Sequence, residues 1–376
     1  MAISFLRIGN FRNLSAVQIT PVLQGLNIIS GNNGSGKTSL LEAIFYLSHG
    51  KSFRSSVANR LINHEADRFF LFSHIQSELQ RQLSVGMERE RAGSNRLRVD
   101  ENEAQSLAQI ACYLPIRLID SHAHDLLEGG PAFRRKFLDW GLFYQYPEFI
   151  TSWRHYERVL KQRNSILREK RPRKELDAWT NELIKYGLEL NQQRNAYIAS
   201  FLPQLQYFSQ NLLGISQLEI NYQPGWESNT EFATALHESV FEDYRLGHTQ
   251  AGPHRADFDL ISEGLSLRHV LSRGQQKLLI CAMILAQGKL LADGGKSGLI
   301  YLVDDLPSEL DLLSRQKLVS LLSAQKSQIF ITAIENQAIC DLISDKTMVP
   351  IKVFHVEHGE IVEVAARHAS ISSSYA

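Results

Sequence analysis

The sequence predicts an α/β fold whose two lobes are separated by a helical insertion, and three features of the 376-residue chain lead to this prediction. A glycine-rich loop, Gly31–Thr38, lies between an apolar strand and an apolar helix. A second apolar strand at 298–305 ends in two aspartates. Between these stretches, from Ala132 to about Leu213, glycine is rare and apolar residues recur at helical spacing. Prolines at 147, 172 and 203 predict about four helices in this region, and a further helix is predicted at about 230–247. We therefore expect an N-terminal lobe at 1–130, a helical domain at 131–217 and a C-terminal lobe at 218–376.

The glycine-rich loop fits the pattern G-x-x-x-x-G-K-[ST]. Its glycines let backbone N–H groups point at phosphate oxygens, its lysine reaches the β- and γ-phosphates, and its threonine hydroxyl ligates Mg²⁺. A strand predicted at Gly25–Ser30 enters the loop and a helix predicted at Thr38–Ser48 leaves it, which places a helix N-terminus behind the phosphates. These flanks disfavour a chance match in a glycine-rich turn. The sequence therefore predicts a nucleoside triphosphate site.

An antiparallel β meander is expected in the N-terminal lobe. Residues 2–30 read as two strands followed by the strand of the loop. From Arg68 to Val99, three further segments of β character are separated by polar turns. A short helix at Ala104–Ala111 and a buried strand at Pro115–Ile119 are expected to complete the lobe.

The composition restricts the class of protein and its location. Forty basic and forty acidic side chains give a net charge of zero, so an anionic partner must meet a local patch. Three dispersed cysteines without a C-x-x-C pair argue for a reducing compartment and against a zinc site. The N-terminus has no signal pattern, and no apolar run approaches the length of a membrane span. We expect a cytoplasmic protein with no membrane segment.

The strand at 298–305 (GLIYLVDD) is apolar throughout until its paired acids. A buried parallel strand of this kind delivers carboxylates at its C-terminal edge. Asp304 is expected to hold Mg²⁺ through water, and Asp305 to orient or activate the attacking water. A solvated acidic turn is the alternative, and the phosphate loop elsewhere in the chain disfavours it.

A third stretch, 271–277 (LSRGQQK), precedes an apolar helix predicted at Leu278–Leu291. Serine and glycine at a helix N-terminus form an anion site from free N–H groups and the helix dipole. A simple helix cap at Ser272 is the alternative. The L-S-x-G-Q pattern ahead of Asp304 resembles the signature of ABC-type ATPases, which contacts the γ-phosphate held by a second subunit. Residues 308–311 (SELD) resemble the D-loop of those proteins.

Taken together, these motifs resemble the RecF family of bacterial recombinational-repair ATPases. Lys37 and Ser272 are separated by well over half of the chain, which is too far for a transporter ATPase. The helical insertion, LSRGQQK and the pattern V-D-D-x-x-S-E-L-D are similar to that family. Further segments that match are Asn10–Asn13 and residues 31–44, 51–54, 130–139, 160–164 and 251–257 (AGPHRAD).

The resemblance implies an SMC-like ABC-type ATPase head that uses ATP and Mg²⁺. Its catalytic residues carry over onto Lys37, Asp305 and Ser272, and its metal ligands onto Thr38 and Asp304. Arg12 and Asn13 become candidates for contacts to the base or the phosphates. The remaining nucleotide-binding positions are Gly31, Asn32, Asn33, Gly34, Ser35, Gly36, Lys37, Thr38, Ser39, Ser272, Arg273, Gly274 and Gln275.

The resemblance also implies an ATP-dependent homodimer that binds DNA at single-stranded gaps and junctions without sequence preference. Partnership with RecO and RecR, promotion of RecA loading, replication restart and SOS induction follow from it as expectations. Hydrolysis is expected to be slow and stimulated by DNA, because Asp305 replaces a glutamate. Residues 332–334 (TAI) and 120–122 (DSH) stand where a switch histidine and a switch glutamine would be sought, so both γ-phosphate sensors stay unassigned.

The helical insertion is locally basic. Between Arg154 and Lys174 there are nine Lys or Arg and two acids, and Arg134, Arg135 and Lys136 precede them, with Trp153 and Tyr156 interleaved. Such a stripe fits phosphate contacts that do not read sequence. A solvated helix face with core aromatics is the alternative. His248 and His254 are interpreted as parts of a packed turn and not as metal ligands. The last residues, 368–376, have the composition of a disordered tail.

Two other functions stay open at the level of the sequence. An energy-coupling ABC ATPase of a transporter is disfavoured by the long separation of the motifs and by the basic insertion. A non-enzymatic DNA scaffold with a vestigial site is disfavoured because each nucleotide element keeps its acid, lysine or serine.

Overall fold

A computed structural model describes residues 1–76, 81–227, 229–295, 298–306, 310–343 and 349–364. The chain divides into two compact units: the first comprises Met1–Ser121 and Gly295–Ala376, and the second His122–Gly294. The tail at 368–376 and the first part of the D-loop-like segment, 308–309, lie outside the described residues.

The N-terminal part of the first unit alternates strands and short helices. In chain order it contains β1 (Ala2–Phe11), β2 (Leu14–Ile19), β3 (Gly25–Ser30), α1 (Lys37–His49), a 3-10 turn (Ala58–Leu61), β4 (Arg68–Gln76), β5 (Gln82–Glu90), β6 (Asn95–Val99), β7 (Asn102–Glu103), α2 (Leu107–Ala111) and β8 (Ile116–Ile119).

The second unit is mainly helical. It contains α3 (Asp125–Glu128), α4 (Pro131–Gln145), α5 (Phe149–Glu169), α6 (Arg173–Leu213), β9 (Glu219–Gln223), α7 (Phe232–Glu238), α8 (Val240–Leu246), a 3-10 turn (Pro253–Arg255), β10 (Asp257–Ser262), β11 (Leu265–Ser266), α9 (Leu267–Val270) and α10 (Arg273–Asp293).

The chain then returns to the first unit. This last part contains β12 (Ile300–Val303), α11 (Leu312–Ala324), β13 (Gln328–Ala333), α12 (Gln337–Cys340), β14 (Ile351–Glu357) and β15 (Glu360–Val364).

Two sheets and one helix build the first unit. The first sheet is antiparallel with the order β2-β1-β4-β5-β6-β7, which confirms the predicted meander. The second has the order β15-β14-β3-β13-β12-β8, and β14, β3, β13, β12 and β8 run parallel. One hydrophobic core joins Ile8 and Phe11 of the antiparallel sheet, Leu40 and Ile44 of α1, and Phe330 of the parallel sheet.

The parallel sheet determines where the functional side chains meet. β13 lies between the loop strand and the acid strand, so Ile331 pairs with Ile28 of β3 on one side and with Val303 of β12 on the other. The carboxyl ends of parallel strands lie at one edge of a sheet. The phosphate loop, Thr332 and Asp304 therefore emerge side by side from three adjacent strands.

The helical region differs from the prediction in the positions at which its helices end. Pro203 was expected to separate two helices, but α6 runs through it. Pro203 is exposed, as is Ala199, whose carbonyl loses the intrahelical hydrogen bond, so water can satisfy that carbonyl. The single helix expected at 230–247 is instead α7 and α8, which meet at Ser239.

The second unit also extends further than the predicted insertion. It includes β9 to β11 and α10, which were predicted to belong to the C-terminal lobe. The 21-residue α10 is buried along most of its length and packs against α6. Its apolar side chains are therefore buried within the second unit, and the sequence alone does not indicate which neighbours bury them.

Candidate nucleotide-binding site

The phosphate loop leaves β3 with two glycines in conformations that side chains disfavour. Gly31 has φ +150°, and a Cβ there would lie 2.3 Å from the carbonyl oxygen of Val356. Gly36 has φ +124° and immediately precedes α1, whose N-terminus has no side-chain cap. The N–H groups of a first helical turn lack intrahelical acceptors. The loop therefore presents uncapped backbone donors and a helix dipole at one place, as an anion site requires.

Lys37 lies over the loop. Its Nζ donates to the carbonyl oxygens of Gly31 at 2.7 Å and Asn32 at 2.9 Å. Burial lowers the pKa of Lys37, while the nearby carboxylates of Asp305 and Asp304 oppose that shift. The ammonium thus faces both acids predicted from the sequence, within reach of the loop that it would serve.

Asp304 lies at the centre of a hydroxyl–carboxylate cluster. Its Oδ1 accepts from Thr38 Oγ1 at 3.1 Å and from Thr332 Oγ1 at 2.9 Å, and the same Thr332 hydroxyl accepts from the Asp305 N–H at 2.6 Å. Burial raises the pKa of Asp304, the two threonine hydroxyls oppose this, and the charges of Asp120 and Asp305 add to it. A cation beside Asp304 would remove the penalty of burying its charge.

Asp305 differs from its neighbour in environment and backbone. It is exposed and its φ is +51°, an uncommon value for a residue other than glycine. Its backbone N–H donates a hydrogen bond to the hydroxyl of buried Thr332, and this bond stabilises the strained turn. Strained residues of this kind cluster at functional sites, and the side chain of Asp305 points away from the core.

The structure gives Asn13 and Ser39 a supporting position. The amide nitrogen of Asn13 donates to the carbonyl oxygens of Ser35 at 3.1 Å and Gly34 at 3.3 Å, and its oxygen accepts from Ser39 Oγ at 2.8 Å. Asn13 thereby ties the loop to the turn between β1 and β2. The sequence predicted direct nucleotide contacts for both side chains, and in this structure their polar atoms are engaged by the loop itself.

Arg12 is likewise engaged by protein groups. Its Nε and Nη2 donate to the two carboxylate oxygens of Glu42 at 2.9 and 2.7 Å, and its Nη1 donates to the carbonyl oxygen of Arg60 at 3.0 Å. Glu42 is fully buried on α1 and also accepts from Ser52. Arg12 therefore holds α1 against the turn that carries Asn13, and it also lines the cavity of the phosphate loop, so its contact with the nucleotide stays a prediction.

These residues surround a cavity of about 720 Å³ within the first unit. Its lining includes the predicted Arg12, Asn13, Asn33, Gly34, Gly36, Lys37, Thr38, Ser39, Asp304 and Asp305, and it adds, among others, Arg54, Arg60, Asn63, His64 and Thr332. Thr332 was identified in the sequence only as an unassigned sensor position. Its place at the end of an apolar strand is the signal that could have found it. Arg60 and Asn63 belong to none of the motifs identified in the sequence, so the sequence did not indicate that they line this cavity.

The donor set fits ATP and Mg²⁺. Uncapped N–H groups and Lys37 suit phosphate oxygens, and the adjacent oxygens of Thr38 and Asp304 suit Mg²⁺, which prefers oxygen ligands. Ser35 Oγ is also buried without a partner among the described residues, inside the curl of the loop. Elsewhere in the described part of the chain, no cluster of three His, Cys, Asp or Glu could hold a metal ion.

The signature-like stretch lies in the second unit. Ser272 caps α10: its Oγ accepts from the Gln275 N–H at 3.4 Å, and its own N–H donates to Gln275 Oε1 at 3.0 Å. Ser272, Arg273 and Gln275 are exposed, whereas Gly274 is half-buried. Ser272 thus caps α10 in this structure, and the predicted contact of this stretch with a γ-phosphate stays a prediction.

The basic stripe of the second unit is smaller than the sequence suggested. Arg163 and Arg134 are buried in ion pairs with Asp243 and Asp257, and Tyr156 is buried as well. Arg171 pairs with Glu169 and Glu175, Arg173 with Asp177, and Lys161 with Glu157. Among the nine cations between Arg154 and Lys174, those that are exposed without a carboxylate partner in the described residues are Arg154, Arg158, Arg168, Lys170 and Lys174. They lie on α5, at its C-cap and at the start of α6, and we call them the α5 stripe.

His254 packs in a turn, as predicted. Its Nε2 donates to the carbonyl oxygen of Thr249 at 3.0 Å, and its Nδ1 accepts from the hydroxyl of Tyr156 at 2.7 Å. Burial lowers the pKa of His254 to about 4. Both ring nitrogens are therefore satisfied in the neutral form, which leaves none for a metal.

Within the described ranges, no helix is long and apolar enough to cross a membrane.

Comparison with known proteins places the chain. Residues 2–361 match the family described as RecF/RecN/SMC N terminal domain. The DNA replication and repair protein RecF of Shewanella frigidimarina is 41% identical over 97% of this chain and 100% of its own length. The protein of the same name from Haemophilus ducreyi is 40% identical over 96% of this chain and 99% of its own.

Solved structures agree on the fold. One described as the recombination mediator protein RecF-ATP in the RecFOR pathway has a TM-score of 0.84 at 24% identity, covering 97% of this chain and 98% of its own. An SMC head bound to the C-winged helix domain of ScpA has a TM-score of 0.61 at 15% identity, covering 98% of each chain. The predicted ABC/SMC-like head is thereby confirmed, and the near-full-length matches show that the chain belongs to the RecF family of DNA replication and repair proteins.

Proposed function

We propose that this chain is an ATP-dependent DNA-binding protein of recombinational gap repair. In this proposal ATP joins two copies on DNA, and slow, DNA-stimulated hydrolysis separates them. The observation that carries it is the cavity in which Lys37, Thr38, Asp304 and Asp305 meet in a chain of the RecF family.

The chain's own groups divide the work within this cavity. The loop N–H groups and Lys37 bind the phosphates, Thr38 and Asp304 hold Mg²⁺, and Asp305 orients the attacking water. Bound Mg²⁺ supplies a positive charge that neutralises phosphate oxygens. Asn13 and Arg12 keep the loop and α1 in position, and Thr332 keeps both aspartates in position.

Dimerisation is proposed because residues 271–277 resemble the signature of ABC-type ATPases, which contacts the γ-phosphate held by a second subunit. Ser272, Arg273 and Gln275 are exposed and can meet the γ-phosphate held by a second copy, as the ABC-type pattern implies. The capping box of Ser272 keeps the N-terminus of α10 ordered for such a contact. Asp305 in place of glutamate supports slow turnover, which suits a timer.

The proposed partners come from the family. Relatives named RecF and a structure described in the RecFOR pathway support action with RecO and RecR, and promotion of RecA loading at single-stranded gaps. Replication restart and SOS induction belong to the same proposal, and a cytoplasmic location stays a prediction. The α5 stripe supports DNA binding that depends on salt and not on sequence. A transporter role is disfavoured by the full-length match to RecF proteins.

The test measures ATP hydrolysis and oligomeric state with and without gapped duplex DNA. Wild type is compared with Lys37→Arg and with Lys185→Arg, a matched control at an exposed position of α6. We expect ATP-dependent dimers and DNA-stimulated turnover in wild type and in the control, and the loss of both in Lys37→Arg. Turnover that is absent under all conditions, or that is as fast as in motor ATPases without DNA, would contradict the proposal.

A further inference from the structure

Three RecF-like segments of the second unit have no part in the nucleotide site, and they meet around one pocket. They are residues 130–139, 160–164 and 251–257. The pocket has a volume of about 470 Å³ and is lined by parts of α4, α5 and the turn before β10. That volume is in the range of small-molecule sites. Its lining includes Gly130, Arg135, Asn164, His248, His254 and Arg255.

The side chains around this pocket carry more positive than negative charge. Three arginines are nearly or fully buried, and each has its own aspartate. Arg134 pairs with Asp257 at 2.6 Å, Arg163 with Asp243 at 2.8 Å and Arg194 with Asp139 at 2.8 Å. Arg134 and Arg194 each contact both oxygens of their aspartate, which leaves those carboxylates fully engaged.

Two further arginines, Arg135 and Arg255, have no carboxylate in ion-pair distance among the described residues. Arg135 donates one hydrogen bond, at 2.8 Å, to the carbonyl oxygen of Ala256, and Arg255 has one long contact, at 3.4 Å, to Gln250. Burial lowers the pKa of Arg135; the charges of Arg194 and Arg255 add to that shift, and those of Asp139 and Asp257 oppose it. Arg135 is half-buried and Arg255 is exposed, so the pocket presents two guanidinium groups that no carboxylate within ion-pair distance neutralises among the described residues.

Neutral donors complete the pocket. Asn164 Oδ1 accepts from both the N–H and the hydroxyl of Thr249, at 2.9 and 2.7 Å, which turns its NH₂ group away from those partners. That NH₂ has no acceptor among the residues that the structure describes. Gly130 is the N-cap of α4 and provides no side-chain cap. Pro131 at the first helical position has no N–H, and the Phe133 N–H donates to the Gly130 carbonyl oxygen at 3.1 Å, so this turn offers the pocket the N–H of Ala132. His254 adds no donor, because both of its nitrogens are engaged.

The pocket is continuous with the α5 stripe. Asn164 and Arg168 are four residues apart on α5 and so lie on one face of that helix. A Cβ on Gly247, the residue before His248, would lie 3.2 Å from Cγ of Arg168. A polyanion that follows the exposed cations of α5 would therefore reach Arg255 and Arg135 next.

We infer that this pocket binds a phosphate group, held by Arg135, Arg255, the Asn164 amide and the N-terminus of α4. Planar guanidinium groups and free N–H groups are the donors that suit phosphate oxygens. Continuity with the stripe favours a backbone phosphodiester of bound DNA over a free phosphate. The inference rests on the proposed DNA binding for its favoured ligand, but the pocket itself can be tested without DNA.

The first experiment labels arginines of the full-length protein with phenylglyoxal and reads each site by mass spectrometry. It is done alone, with inorganic phosphate, with duplex DNA, and with the same duplex carrying uncharged methylphosphonates. Arg96, exposed in the first unit, is the internal reference. Protection of Arg135 and Arg255 by ordinary DNA and not by the methylphosphonate duplex supports a phosphodiester. Protection by inorganic phosphate as well supports a site for any phosphate.

The second experiment measures the salt dependence of duplex binding for Arg135→Gln/Arg255→Gln and for the matched control Arg96→Gln/Arg98→Gln. Loss of one phosphate contact lowers the slope of log K against log salt by about 0.9. We expect that change in the pocket variant alone, with ATP hydrolysis in the absence of DNA unchanged.

Failure of the inference is distinct from failure of the proposed function. If DNA protects Arg158 of the stripe but neither pocket arginine, and the slope is unchanged, the pocket inference is overturned while DNA binding stands. If wild type binds no DNA, the proposed function fails, and protection of Arg135 and Arg255 by inorganic phosphate still decides for or against the pocket.

Discussion

Replacing Thr332 by valine keeps the shape of a buried side chain and removes the one hydroxyl that joins the two aspartates of the nucleotide site. In the native protein this hydroxyl donates to Asp304 Oδ1 at 2.9 Å and accepts from the Asp305 N–H at 2.6 Å. Only 1% of Thr332 is exposed, so water cannot replace either bond. Valine therefore leaves a carboxylate short of one donor and a backbone N–H without an acceptor.

The magnitude follows from those two bonds. A hydrogen bond to a charged group contributes about 1.5–3 kcal/mol, and an unsatisfied buried N–H costs about 1–3 kcal/mol. Because the two effects share one side chain and relaxation recovers part of them, we expect the free energy of unfolding to fall by about 3 kcal/mol. Loss of a residue that orients a metal ligand reduces metal affinity about 10- to 100-fold.

The effect on Mg²⁺ binding has a defined pH dependence. Burial raises the pKa of Asp304, and the bond from Thr332 opposes this, so valine raises the pKa further. A cation needs the deprotonated carboxylate. The loss of Mg²⁺ affinity in Thr332→Val is therefore larger at pH 6 than at pH 8, where more of the Asp304 population stays ionised.

The assay titrates Mg²⁺ against protein and a fluorescent ATP analogue at both pH values, and urea unfolding gives the stability. Thr332→Ser keeps the hydroxyl and is the matched control, in which we expect affinity within about threefold of wild type. If Thr332→Val binds Mg²⁺ and the analogue as tightly as wild type at both pH values, the Thr332 hydroxyl does not support the metal site. The same conclusion holds if Thr332→Ser and Thr332→Val have equal Mg²⁺ affinity and equal stability.

Three further predictions follow from buried charges elsewhere. Arg163→Met leaves the carboxylate of Asp243 buried without its partner and should cost about 3–5 kcal/mol in urea unfolding, whereas Arg163→Met with Asp243→Leu should recover at least half of that loss. Burial lowers the pKa of His254 to about 4 in the folded protein, so this side chain stays neutral from pH 7.5 to 5.5, whereas the same histidine in the unfolded chain takes up a proton over that range. His254 should therefore lower the free energy of unfolding by about 1 kcal/mol between these pH values, and the pH-dependent loss should be smaller by that amount in His254→Gln. Arg12→Met should weaken binding of the fluorescent ATP analogue by releasing α1, and Glu42→Met added to it should restore part of the affinity.

Each of these predictions has an outcome that contradicts it. A double variant as unstable as Arg163→Met would show that the cost is not the unpaired carboxylate. An unchanged pH dependence in His254→Gln would mean that other groups cause the acid-side loss. If the second substitution at Glu42 restores no affinity, Arg12 contacts the nucleotide directly, as the sequence first suggested.

Local sequence patterns predicted the helices and strands of this protein well where the hydrophobic period and the flanking residues indicate the same element. Strand β3, the loop and α1 were expected within a residue of their observed bounds, and Gly50 ends α1 in the left-handed conformation as a C-terminal stop. Pro203 misled, because a proline on the exposed side of a long packed helix costs less than the contacts of that helix contribute. The extent of the second unit was missed, because α10 is apolar around most of its circumference and its sequence does not say which neighbours bury it.

The amino-acid sequence alone indicates which chemical groups are available: a phosphate loop, a strand that ends in two aspartates and a signature-like helix start. It also indicates the family. Short motifs carry such chemistry because each depends on a few adjacent residues. Only the tertiary structure decided how that chemistry is arranged. Parallel pairing of β3, β13 and β12 brings the hydroxyls of Thr38 and Thr332 to the same oxygen of Asp304. Of the five arginines at or beside the pocket of the second unit, three pair with aspartates, whereas Arg135 and Arg255 have no such partner among the described residues. Such pairings join residues far apart in the chain, and burial and partner choice, which fix the charge state and the direction of each side chain, are properties of packing.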